Sequence, residues 1–72
     1  MNQYYVEYYS NDEDEWLKCS PAYHCLDDAM QSMRLQAKSD PSLAHQVLMA
    51  HRTRIALAVH GEEIVNNRGE FR

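Results

Sequence analysis

Residues 43–60, LAHQVLMAHRTRIALAVH, decide the fold of this 72-residue chain. Their Ala, Leu, Met, Gln and Arg content suits a helix capped by Ser42 and ended at Gly61. Two features oppose it. Ile55, Leu57 and Val59 alternate with Ala56, Ala58 and His60, the two-residue period of a strand. The polar HRTR (51–54) then interrupts the apolar pattern where a hairpin turn would fall. The alternation favours strands over 46–51 and 55–60, with the single helix as the open alternative.

The segment before it is easier to read. CLDDAMQSMRLQAK (25–38) has apolar residues at 26, 29, 30, 33 and 37, the spacing of an amphipathic helix. Asp27 and Asp28 fall in its first turn and Lys38 in its last, which suits the macrodipole at both ends. Cys25 stands where Ser or Thr would ordinarily cap. Asp40 precedes Pro41 and is pushed out of the helical region, so the helix stops there.

At the N-terminus, residues 3–9 alternate, with Tyr4, Val6 and Tyr8 opposed to Tyr5, Glu7 and Tyr9. Ser10–Asp14 is polar and turn-forming, and Trp16–Ser20 alternates again until Pro21, which cannot donate to a ladder. These segments read as a hairpin with an acidic tip. The expected fold is therefore α+β: hairpin, helix, hairpin (ββαββ), with one helix on one face of a small antiparallel sheet. Residues 1–65 form one domain in this reading, and 66–72, with no apolar pattern, a loose tail.

One helix covers one sheet face. The alternation puts Tyr4, Val6, Tyr8, Leu17 and Cys19 on that face, beneath Leu26, Met30, Met33 and Ala37. Tyr5, Tyr9 and Trp16 remain on the other face beside Glu7 and Lys18. Tyrosine and tryptophan offer rigid, amphipathic contact area, and the acidic run Asp12, Glu13, Asp14, Glu15 adjoins them. The expected partner-binding set is Tyr5, Glu7, Tyr9, Asp12, Glu13, Asp14, Glu15 and Trp16. The plainer reading is cross-strand aromatic pairing beside a solvated turn. Leu35 lies on the polar side of the helix, where a single exposed leucine is ordinary.

Charge is divided unevenly. Residues 1–33 carry seven acids against Lys18, a net −6, and residues 34–72 carry six bases against four acids, a net +2. An acidic half favours a protein partner with a basic surface over nucleic acid. The basic group His51, Arg52, Thr53, Arg54 is the alternative, a turn that contacts phosphates, and four residues make no groove. Homodimerisation is a third reading, since a chain this short buries only about 60% of its unfolded surface. No apolar run approaches the ~20 residues of a membrane span, and no signal-peptide pattern opens the chain, so the expectation is a cytoplasmic protein.

Catalytic and cofactor chemistry is weakly supplied. Cys19, His24 and Cys25 lack a C-x-x-C or H-x-x-x-H partner set for zinc, and no cofactor is expected. The two cysteines read as thiols, with a disulfide between them left open. A Cys25–His24 nucleophilic pair fails because adjacent residues rarely face each other. Neither Gly61 nor Gly69 lies in a phosphate-cradling loop. The chain does not read as an enzyme.

YYVEYYSNDEDEW (4–16), LDDAMQSMRLQAKSDP (26–41) and RIALAVHGEEI (54–64) together resemble the small acidic proteins encoded by phages and prophages, including anti-CRISPR proteins built as hairpin, helix, hairpin. The resemblance lies in size, charge and order of elements. It implies stoichiometric binding that inhibits or modulates a host protein, and it transfers no functional residue.

Overall fold

The computed structural model describes residues 2–64. Strands β1 (Tyr5–Ser10) and β2 (Glu15–Lys18) form the first hairpin, and α1 (Leu26–Ser39) follows. Then come β3 (His45–Met49), a short 3-10 turn (Ala50–Arg52), β4 (Thr53–Val59) and β5 (Glu62–Ile64). All strand pairs are antiparallel, in the order β2-β1-β3-β4-β5. The α+β reading holds. Residues 43–60 are two strands and not a helix, and the HRTR stretch supplies most of the turn. The proposed tail, 66–72, lies outside the described residues.

The second hairpin begins and ends earlier than its sequence reading and gains a third strand. The left-handed region, normally glycine territory, is occupied by His60 (φ 56°) and Gly61 (φ 79°). Two consecutive positive φ values match the twist of a tight hairpin, so Val59 pairs with Glu62 and β5 returns along β4. A side chain at position 61 would also crowd Pro41 Cβ at 3.2 Å and the Ala37 carbonyl at 3.4 Å, which ties this turn to the helix end.

The helix forms because Leu26, Ala29, Met30, Met33 and Ala37 recur on one stripe, and all but the half-buried Leu26 are buried. Its start has no side-chain cap from Cys25, and its end closes with the Asp40 N–H on the Gln36 carbonyl, 3.0 Å. Beneath it lie Val6, Val47, Ala56 and Ala58, with Tyr4, Cys19, Tyr23, Leu26 and Ile55 around the margin. On β4 the alanines face the helix, whereas Leu57, paired with Gln46, faces away. Small residues there let the helix sit close to the sheet. Val47 pairs with Ala56 but Leu48 with Arg54, so Ile55 is the extra residue of a β-bulge and joins the core margin. Tyr8 and Leu17, expected in the core, are only half-buried and stand outside it.

After β2 the chain stays at the sheet edge. Ser20 Oγ accepts the Val6 N–H at 2.8 Å, and Tyr4 and Tyr23 exchange both backbone hydrogen bonds at 2.8 and 2.7 Å. A side-chain hydroxyl thus replaces a ladder bond just before Pro21, which has no N–H to offer.

Candidate functional site

Among the described residues no helix packs on the second face of the sheet. Strand alternation and register bring Tyr5, Glu7, Tyr9, Trp16 and Lys18 onto it from β1 and β2, and Gln46, Leu48, Leu57 and Ile64 from the other three strands. Tyr9 lies directly across from Trp16. Their rings meet edge to face, 5.4 Å between centroids at 74°, an arrangement that suits the ring quadrupoles. Lys18 Nζ lies 5.3 Å from the Tyr5 ring centre.

The acidic tip is an ordered loop. Ser10 is buried, its carbonyl accepts the Asp14 N–H at 2.7 Å and its hydroxyl the Glu13 N–H at 3.1 Å. Asp14 then takes a left-handed φ of 57°, tolerable for an aspartate, and turns back toward β1. The Tyr9 hydroxyl donates to the Asp14 carboxylate, and this bond, with some burial and the aspartate charge, pushes the phenol above its ordinary pKa. Asp12, Glu13 and Glu15 are exposed beside it.

Glu7 behaves differently from the rest of its set. It is 4% exposed, held by the Gln46 amide at 3.0 Å and the Arg52 guanidinium at 2.8 Å. Its carboxylate is therefore occupied from within and is not presented to a partner. The same contact reassigns the basic turn. His51 (φ 60°) and Arg52 (φ 57°) are both left-handed without being glycine, and the turn they make folds Arg52 back over β1. Arg52 is held above its ordinary pKa by the hydrogen bond to Glu7 first, then by that charge, with smaller help from Tyr5. His51, Arg52 and Thr53 are exposed and Arg54 is half-buried opposite Leu48, and the Arg52 charge is already engaged by Glu7.

Sequence reasoning placed Glu7 and Arg52 in rival sites, whereas they form one ion pair. It also missed Gln46, Leu48, Leu57 and Ile64, which continue the second face across the sheet. Alternation within 45–49 puts Gln46 and Leu48 on the side opposite Val47, but only the β1–β3 register sets them beside Glu7 and Tyr5. Cys19 is half-buried and Cys25 exposed, both as free thiols. Among the described residues no three His, Cys, Asp or Glu side chains are gathered to hold a metal. No helix among them is long and apolar enough to cross a membrane. Compared with protein-family models, curated proteins and solved structures, the chain matches none.

Proposed function

We propose that this chain is a protein-binding module of the phage-inhibitor kind, acting in the cytoplasm by occupying a partner with a basic surface. The observation that carries this reading is the edge-to-face pair of Tyr9 and Trp16 on a helix-free sheet face, next to the exposed carboxylates of Asp12, Glu13 and Glu15. Rigid rings supply desolvated contact area, and carboxylates at a loop tip steer a cationic surface toward it. The activity is occupancy rather than catalysis. Tyr5, Tyr9, Trp16 and the tip make the contact, while Glu7 holds the face in shape from below.

The test is affinity capture from a bacterial lysate with the tagged chain and its Trp16→Ser variant in parallel, the captured protein being identified by mass spectrometry. The expected result is a partner captured by the parent and lost by the variant. Kinetics with that partner separate the two components. Asp12→Asn/Glu13→Gln, which leaves the Tyr9–Asp14 bond in place, should lower the on-rate and flatten its salt dependence. Trp16→Ser should raise the off-rate by about thirtyfold, the ~2 kcal/mol of an anchor residue. Silent ring variants together with an unchanged on-rate at low salt would leave the stretch 4–16 as a hairpin and nothing more.

A further inference from the structure

On the helix side of the sheet, opposite Tyr9 and Trp16, a groove of about 350 Å³ opens between the C-terminal half of α1 and the sheet end. Tyr8, Cys19, Leu35, Gln36, Leu43 and His45 line most of it. Its volume falls at the lower end of small-molecule sites, ~300–1,000 Å³. Two of these residues stand out. Leu35 is 62% exposed and stands apart from the core. His45 is 3% exposed, yet half of its hydrogen-bonding capacity is unused.

The tautomer follows from chemistry. His45 Nδ1 lies 3.0 Å from the Leu43 carbonyl, which can only accept, so Nδ1 carries the proton and Nε2 of the neutral ring is a bare acceptor. Nε2 makes no hydrogen bond with any described residue. His45 lines the groove, so a guest there is the nearest candidate donor to this lone pair.

We propose that the groove binds a small planar aromatic molecule carrying one hydrogen-bond donor, its ring against Leu35, Tyr8 and Leu43 and its N–H or O–H donating to His45 Nε2. The surroundings favour a neutral guest. Burial keeps His45 uncharged, against weaker pulls from the Leu43 carbonyl and the Asp40 charge. Burial and Glu7 likewise push the Cys19 thiol up, so it stays protonated, although a bond from Gln36 pulls the other way. Asp40, at the helix end of the groove, repels anions. A donor-bearing ring satisfies the lone pair that a plain hydrocarbon would leave dry and unpaired.

The test uses the full chain, isotope-labelled for amide NMR, and two probes of equal shape: indole, which has an N–H, and benzofuran, which has none. Indole should shift the amides of Tyr8, Cys19, Gln36 and His45 saturably, with a Kd of about 1 mM for so small a ligand. Benzofuran should bind about tenfold more weakly, because it leaves the acceptor unpaired. His45→Phe should abolish the preference for indole. Leu35→Ser, at a position exposed enough to spare the fold, should weaken indole about fivefold through lost apolar contact. If His45→Phe does not fold, the probe pair and the Leu35 variant still decide. Equal affinities for indole and benzofuran, shifts confined to the Tyr9–Trp16 face, or no saturation by indole would overturn the proposal.

Discussion

Strand β3 is buried on both of its faces, and the two faces are buried by different means. Val47 lies in one apolar cluster with Met30, Met33 and Ala37 of the helix. Gln46 and Leu48 are also buried on the other side, which no described helix covers. There the described cover consists of side chains from the sheet and its turn, with the buried Glu7 carboxylate held by Gln46 and by the half-exposed Arg52. One face excludes water by area, the other by a specific polar bond, and the second is the more easily opened.

The sharpest way to break this contrast is to damage the apolar face. Met33 is fully buried, so Met33→Ala should cost about 3 kcal/mol of unfolding free energy, read from the urea midpoint at unchanged slope. A loss below 1 kcal/mol would mean that the helix contributes less than its burial implies.

The polar face should respond asymmetrically. Arg52→Ala strips the cation from a carboxylate that is 5% exposed in the intact pair, whereas Glu7→Gln removes the buried charge and keeps a hydrogen-bonding group, at about 1 kcal/mol. The arginine variant should therefore have the lower melting temperature. The reverse order would show that Glu7 is solvated when alone and that this face has no interior of its own.

A pH titration sharpens the comparison at the helix-covered end. Burial lowers the His45 pKa in the folded chain, so the unfolded chain binds the extra proton first. The stability this contributes is complete above the unfolded value, about 6.5, and is lost as pH falls from there through the lowered folded value. His45→Gln should flatten the fall in stability between pH 7.5 and 5.5. Parallel profiles for the two chains would remove His45 as its source.

The smallest expected effect lies at the helix start. Cys25 provides no side-chain cap, and Cys25→Ser should stabilise the fold by about 0.5–1 kcal/mol, as a small rise in melting temperature. A fall would show that the thiol has a role that its exposure hides.

Periodicity made most of this fold legible. The helix, its dipole-matched ends, the first hairpin and the strand character of 53–59 are all local patterns. What escaped the sequence was of two kinds. The β5 return depended on reading His60–Gly61 as a tight turn, a signal weaker than Asn-Gly because histidine seldom takes a positive φ. The pairing of Glu7 with Arg52 was beyond any local pattern, since it depends on which strands become neighbours. The candidate site was accordingly half-read. Tyr9, Trp16 and the tip emerge together from alternation, whereas the aliphatic half of the same face is assembled only by register.

The junction of β1 with β3 also sets how this chain must fold in time. Among the described residues, three of the four strand pairs are hairpins between consecutive strands, whose short connections close quickly. Only β1 and β3 must find each other across the helix, and the contacts that fasten them, Gln46 and Arg52 on Glu7, span 39 and 45 positions. The entropy of closing that long loop falls on one event, the docking of a preformed first hairpin onto the second. Val6 and Val47 pair across this junction, and truncating either should slow folding as well as destabilise the fold, read from the folding limb of a chevron. Arg52 reaches over from the turn between β3 and β4, and Arg52→Ala should speed unfolding more than it slows folding.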